Sequence, residues 1–400
     1  MGVSLTSAAW SDKPITTGTE CHMRLLFTSR ASLGHLQPLV PLAKVARAAG
    51  HEVIFATGAK AASVPIALGF PTDIVGLDFS TEFFQELQIE KPLRTETRRF
   101  AFTRLFAGRE LEPRLRDIEA NCLSRRPDII VHEVAELAAP IAAAVARTPV
   151  VTVGYGPLLD PDVAEAAGVA AEPAWRARGL SLPRWAGLYR DLYVDPCPPA
   201  LQIRAIDDLP TVQKMAPSVP ESHVPPEWMS DVSAPLVYVT FGTIYNRDYE
   251  LFRKVLDALE TLPIEVVVTV GENNDPANLG PRPRTTRIFR FIPQERLLPR
   301  CRAIVAHGGA GTLLAALAYG VPMLLLPQGA DQFYNASRAT AAGAALSLMP
   351  ENASVHAIAT SFAQILNDPV FAARSRAVGA QMVAMPRPEE ALARIEQLPH

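Results

Sequence analysis

The chain has 400 residues, a formal net charge of -3 and 48% apolar side chains. That length favours two domains or more, each large enough to bury its own core, and the near-neutral charge carries no basic footprint for nucleic acid. Four scattered cysteines, Cys21, Cys122, Cys197 and Cys301, argue against a disulfide framework or a zinc site and fit a reducing cytoplasm. The longest apolar runs, such as residues 321–327, are too short to span a bilayer. Residues 1–22 are polar and lack the apolar core of a signal peptide. They read as a disordered extension, with Met23 as the start of the fold.

Residues 24–29 read as a short strand, residues 30–35 as a loop, residues 36–49 as a helix stopped by Gly50, and residues 51–56 as a second strand. This strand–loop–helix–strand unit is the signature of a parallel sheet. A further strand is expected near residues 73–75, and helices over residues 79–120. Phe79, Phe83, Phe84 and Leu87 share one helical face, followed by Phe100, Phe102, Leu105 and Phe106. Such rings either pack as core or form an apolar wall for a ligand. Residues 126–133 and 148–153 read as strands around an alanine-rich helix, and residues 157–200 as irregular and helical. Residues 196–235 are dense in proline, which cannot hold long helices or central strands and suits a linker. The pattern then restarts, with strands at residues 236–241, 265–270, 286–291 and 303–306, a further apolar strand run at residues 323–326, and closing helices at residues 354–366, 370–384 and 388–398. The expected fold is α/β. It has two doubly wound, Rossmann-like domains over residues 23–215 and 236–385, a linker at 216–235, and a terminal helix at 386–400 placed to cross back to the first domain. Ligands of such sheets sit at the carboxyl ends of the strands.

His35 follows the first strand at such an end, and a histidine there is a candidate general base. Glu133 ends another strand of the same domain and could hold the imidazole in one tautomer. His132 points to the opposite face by period-two alternation and reads as packed or superficial. In the second half, His307-Gly308-Gly309-Ala310-Gly311-Thr312 ends a strand and opens a helix, the makings of an anion seat. The cluster lacks the third glycine of the dinucleotide fingerprint, and no acidic residue follows at the required distance, which disfavours a nicotinamide enzyme. Asp160-Pro161-Asp162 spells a two-aspartate metal motif, but a turn and helix N-cap is the preferred reading. With no metal site assigned, leaving-group charge falls to the helix dipole, backbone N–H groups, His307, Thr312 and Thr243. Asp331 and Gln332 offer an acceptor and a donor for sugar hydroxyls, or else cap the helix that follows.

Together these pieces resemble the family 1 nucleotide-sugar glycosyltransferases of the two-domain GT-B fold, in particular bacterial enzymes that decorate polyketide, macrolide and enediyne antibiotics with deoxysugars. The resemblance runs from Met23 to the C-terminus. It is carried by Gly34-His35-x-x-Pro38, Phe291-x-Pro293-Gln294, His307-x-Gly309, Gly320-Val321-Pro322 and Asp331-Gln332-x-x-Asn335. It implies that His35 deprotonates the acceptor hydroxyl and that Glu133, where the family usually has aspartate, supports it. Phe291 would stack on the nucleobase, with Ile292 and Gln294 beside it. His307, the amides of Gly309, Ala310, Gly311 and Thr312, and Thr243 would hold the diphosphate. Asp331, Gln332 and Asn335 would hold the sugar. Ala315 stands where members using uridine donors carry a glutamate for the ribose 2′-hydroxyl, which implies a thymidine diphosphate (TDP) sugar as co-substrate, with no cofactor and no metal. Phe79, Phe83, Phe84, Tyr155 and Trp175 would face a flat apolar acceptor, glycosylated on oxygen or on an activated aromatic carbon. The expected partners are these two small molecules; a homodimer is left open. The rival readings are a nucleotide-sugar epimerase, a cell-wall transferase acting on a lipid-linked sugar, and an inactive auxiliary partner of another transferase.

Overall fold

A computed structural model describes residues 22–77, 97–218, 224–243 and 246–399. Two parallel sheets organise it. The first contains β1 (Arg24–Thr28), β2 (Glu52–Thr57), β3 (Thr72–Ile74), β4 (Ile129–Glu133), β5 (Val150–Val153), β6 (Leu192–Asp195) and β7 (Val212–Lys214), in the order β3-β2-β1-β4-β5-β6-β7. The second contains β8 (Leu236–Thr240), β9 (Glu265–Thr269), β10 (Thr286–Phe289), β11 (Cys301–Ala306), β12 (Met323–Leu325) and β13 (Ala345–Ser347), in the order β10-β9-β8-β11-β12-β13. The central strands are runs of Val, Ile and Leu because helices cover both faces. Every residue of β4, β5 and β8 is buried. Strand order reverses between β1 and β4 in one sheet and between β8 and β11 in the other. Each reversal leaves a crevice at the strands' carboxyl ends. His35 and Glu133 flank the first crevice, and Thr243 and His307 flank the second.

Three strands differ from expectation. β6 lies in a stretch read as irregular, β7 in the proline-dense stretch, and β13 carried no strand signal. β7 and β13 are three-residue edge strands, too short for periodicity to register, and an edge strand tolerates neighbouring prolines. The helix beginning at Thr97 continues to Arg125, widened through Ala101–Arg109 into π-type turns, where the Glu110 N–H reaches the Leu105 carbonyl at 3.0 Å. Such widening is uncommon and clusters near functional sites.

The two halves are tied together in several places. The C-terminal helix Pro388–Ile395 inserts Ala391, Leu392 and Ile395 into a core with Met23, Leu36 and Leu39 of the first domain, and Glu396 meets His51 at 2.9 Å. Across the cleft, Arg338 donates to the carbonyls of Leu201 and Gln202 at 2.9 and 2.6 Å. The Tyr334 hydroxyl donates to the Leu158 carbonyl at 3.3 Å. Among the described residues no helix is long and apolar enough to cross a membrane.

Candidate active site

The first half of the site grows from the ends of β1 and β4. Glu133 is fully buried. Its carboxylate accepts from the Arg30 N–H at 3.3 Å and the Ala135 N–H at 2.6 Å, so the backbone fixes its orientation. Its Oε2 lies 3.0 Å from His35 Nδ1, an oblique approach rather than an aligned hydrogen bond. Burial alone would raise the Glu133 pKa, but the charge of His35, its contact and the Ala135 N–H together hold it below the usual carboxylate range. The carboxylate therefore stays ionised at neutral pH. His35 is partly open at 22% side-chain exposure. With Nδ1 turned toward Glu133, Nε2 is the nitrogen left to take a proton. The His35 ring is flanked edge-on by Tyr155 at 5.3 Å and Phe106 at 6.3 Å between centroids.

Beneath this pair lies a charge network that sequence reasoning missed. Arg30, with no exposed surface, grips Glu110 through two hydrogen bonds of 2.8 and 2.7 Å, and its guanidinium stacks 3.3 Å from the Phe106 ring centre. Arg114 bonds Glu136 at 2.6 Å and the Ser29 carbonyl at 2.7 Å. Burial acts against both charges of the first pair, lowering the Arg30 pKa and raising that of Glu110. Arginine nonetheless remains protonated in proteins, so the bidentate geometry is that of an ion pair. Arg30 lies within the loop after β1, where a charge near a strand's carboxyl end was the available signal. Glu110, Arg114 and Glu136 carry no local signal, because their pairing joins segments far apart in sequence.

The second half grows from β8 and β11. The His307 ring is wedged between two glycines. A β-carbon on Gly242 would lie 2.7 Å from Nε2, and one on Gly309 would lie 2.5 Å from it. Both positions must be glycine for the ring to sit there. Burial drives the His307 pKa down to about 4, against the opposing pull of Asp331 and the Thr240 carbonyl. His307 is thus neutral at pH 7. The helix Ala310–Ala318 starts directly beside it with no side-chain cap, so its first N–H groups are available to an anion. Asn335 donates to the Gly308 carbonyl at 3.0 Å and to Asp331 at 2.7 Å, which ties the loop before the helix Gln332–Ala341 to the glycine seat. Gly309→Ala is expected to displace the ring and weaken nucleoside-diphosphate binding about tenfold, equivalent to ~1.4 kcal/mol. Calorimetry on the variant checks this, and unchanged affinity would detach the seat from the diphosphate.

The two halves meet at Tyr155-Gly156. Tyr155 touches the His35 ring, while a β-carbon on Gly156 would lie 3.4 Å from Ala310 and 3.7 Å from Asn335 Oδ1. Other expected residues fall as follows. Phe291 is 55% exposed, an open aromatic face, with Ile292 and Gln294 half-buried beside it. Thr243 is exposed, Gly311 is exposed and Thr312 is half-buried at the seat. Ala315 is buried on the same helix. Gln332 is buried, and its side-chain oxygen accepts from Gln328 and Gly329 N–H at 2.8 and 3.2 Å, which holds the side chain in place and leaves its amide NH2 group as the donor. Asp160 caps the helix Pro161–Ala177 by accepting from Asp162 N–H at 3.0 Å. His132 is fully buried against Thr152 at 2.8 Å. Trp175 is a correction. It was expected at the acceptor wall, but it is 2% exposed in the first-domain core, on the helix face shared with Ala164, Ala167 and Ala171. A β-carbon on Gly187 would already lie 3.3 Å from its ring, so the indole is structural. Phe79, Phe83 and Phe84 lie outside the described residues.

Two doubly wound domains, with a histidine–carboxylate pair facing a glycine-lined anion seat, define a glycosyltransferase of the GT-B class. The chain matches the family models described as Erythromycin biosynthesis protein CIII-like, N-terminal domain over residues 44–242 and C-terminal domain over residues 253–398, and it belongs to that family of antibiotic-biosynthesis glycosyltransferases. It is 33% identical to the L-demethylnoviosyl transferase of Streptomyces niveus over 92% of this chain and 96% of that protein. It is 29% identical to the 3-alpha-mycarosylerythronolide B desosaminyl transferase of Saccharopolyspora erythraea over 94% and 98%. Among solved structures it is similar to the spinosyn rhamnosyltransferase SpnG complexed with thymidine diphosphate, at 26% identity and a TM-score of 0.79, covering 94% of this chain and all of that one.

Proposed function

We propose that the enzyme, working in the cytoplasm, moves a deoxyhexose from a TDP-sugar to a hydroxyl of a large apolar acceptor in one inverting displacement that requires no metal ion. The observation that carries this reading is the segment Tyr155-Gly156, which touches the His35 ring on one side and the Ala310–Asn335 wall of the anion seat on the other. A base and a leaving-group seat are thereby held on opposite sides of one small space. His35 Nε2 takes the acceptor proton while ionised Glu133 stabilises the imidazolium that forms. The acceptor oxygen bonds to the anomeric carbon as the bond from that carbon to the diphosphate breaks. The departing TDP carries its negative charge into the N–H groups at the start of Ala310–Ala318 and onto His307. Attack opposite the leaving group inverts the anomeric centre. Asp331, anchored by Asn335, positions the sugar.

The thymidine preference is supported by Ala315, which offers no carboxylate to a ribose 2′-hydroxyl, and by the thymidine diphosphate bound to the solved relative. The two relatives named above are, by their names, transferases of noviosyl and desosaminyl sugars. Matched TDP- and UDP-deoxysugars, offered with polyketide aglycones in EDTA and read by product mass, test the proposal. Expected is a TDP preference of at least about tenfold, corresponding to ~1.4 kcal/mol, with turnover retained in chelator. A uridine preference overturns the donor assignment, and loss of turnover restored by a divalent cation overturns the metal-independent mechanism.

A further inference from the structure

The segment of residues 197–202 follows β6 of the first sheet, yet its main chain is held by the second domain. Leu201 is buried in the second-domain core with Ala339 and Val378. The Ala200 N–H donates to Gln381 Oε1, on the helix Pro369–Val383, at 2.9 Å, and Arg338 grips the Leu201 and Gln202 carbonyls. The Gln202 side chain turns the other way. Its Nε2 donates at 2.9 Å to Oδ1 of Asp195, the last residue of β6, which has no exposed surface. Its Oε1 accepts from the Leu158 and Ile203 N–H groups at 3.0 and 2.9 Å, and Leu158 packs in the first-domain core. With its main chain on one domain and its side chain on the other, Gln202 is a joint between them. A primary amide is the group this position needs, because one end must donate to a carboxylate while the other accepts from N–H. A glutamate there would set two carboxylates face to face.

These contacts close into a circuit. Leu158 gives its N–H to Gln202 and receives the Tyr334 hydroxyl at its carbonyl, 3.3 Å away. Tyr334 and Arg338 stand one turn apart on the helix Gln332–Ala341, and Arg338 returns to the Gln202 carbonyl at 2.6 Å. Arg98 of the first domain braces the circuit, with its guanidinium 4.5 Å from the Tyr334 ring centre. The same helix begins beside Asp331, which Asn335 holds at 2.7 Å. On the other side, Leu158 ends the short segment that starts at Tyr155, whose ring flanks His35 at 5.3 Å.

We propose that Gln202 is a positioning residue for sugar transfer, locking the helix that carries Asp331 in register with His35 across the cleft. This rests on the transferase reading and deepens it, by assigning the alignment of the two half-sites to an amide that belongs to neither. In a one-step displacement the acceptor oxygen, the anomeric carbon and the leaving oxygen must line up, and a misplacement of about 1 Å can cost about a hundredfold in rate. Nucleotide binding makes no such demand, because the anion seat lies within the second domain.

The test compares the full chain with Gln202→Met, which keeps the length of the side chain and loses both hydrogen-bonding ends. With TDP at saturation, amide hydrogen exchange read by mass spectrometry should quicken at least about threefold over residues 332–341, on a helix to which the substituted amide donates no hydrogen bond. With the donor and aglycone that the transfer assay identifies, kcat should fall at least about tenfold. The KM for the donor and the calorimetric affinity for TDP should stay within about twofold, which also shows that the variant is folded. Tyr334→Phe opens the circuit at its opposite link and should act in the same direction. The double variant should cost kcat little more than Gln202→Met alone, because members of one circuit do not add. Unchanged exchange over residues 332–341, an undiminished kcat, or costs that multiply in the double variant overturns the proposal. A loss of TDP affinity in a variant still folded by circular dichroism also overturns it, since Gln202 then serves nucleotide binding. Should Gln202→Met not fold, Tyr334→Phe, which deletes a single oxygen, carries the exchange and kinetic arms by itself. Exchange is read without turnover, so an inactive wild-type enzyme overturns the transferase reading, whereas unchanged exchange overturns the joint.

Discussion

His35→Ala is expected to lower kcat/KM by about 10³-fold while leaving TDP affinity within twofold. The imidazole is the group we propose as the base, and the carboxylate behind it cannot replace it. Glu133 is fully buried and committed to the Arg30 and Ala135 N–H groups. Loss of a positioned base costs about 4 kcal/mol at this magnitude. The proposed diphosphate seat belongs to the other domain and contains no atom of His35, so binding and chemistry should separate cleanly. Steady-state kinetics beside nucleotide calorimetry decide the matter. Turnover near the wild-type rate would remove His35 from the role of base.

The second large effect concerns stability. Glu110→Ala is expected to cost about 3–5 kcal/mol of folding free energy, because it takes the bidentate carboxylate away from the buried Arg30 charge. The pair sits at 2.7 Å with 1% and 6% side-chain exposure, and arginine, unlike a carboxyl group, cannot shed its charge to escape burial. Another carboxylate, Glu133, already acts on Arg30. If the guanidinium then draws Glu133 toward itself, the contact with His35 loosens, so kcat should fall together with stability. Urea denaturation followed with intrinsic fluorescence measures the first effect. A loss under about 1 kcal/mol would mean that the pair is no better than a surface ion pair. Glu110→Gln, which keeps the shape and one acceptor, should recover part of the stability.

Much of the fold was legible because its signals are local. The runs at β1, β4, β8 and β11 are apolar over both faces, which marks central parallel strands. The glycines around His307 and the loop after β1 declare strand-to-helix turns at the carboxyl edge. β7 and β13 were illegible, since three-residue edge strands are chosen by the neighbouring strand and not by their own pattern. Trp175 was misjudged because an aromatic at helical spacing reads the same whether it faces a ligand or a core. Only the packing of its helix on Gly187 and the alanine face decides.

The amino-acid order by itself therefore determined the two-domain α/β class, the glycine seat and the identity of His35 and Glu133 as a pair worth testing, since each depends on residue type at short range. Tertiary structure alone decided that His35 meets Glu133 at 3.0 Å, that Gly242 and Gly309 clasp His307, and that the Arg98 guanidinium rests on the ring of Tyr334 of the opposite domain. The physical reason is common to all three. Burial and charge pairing arise between segments tens to hundreds of residues apart, and the cost of an unpaired charge exists only once water has been removed from around it.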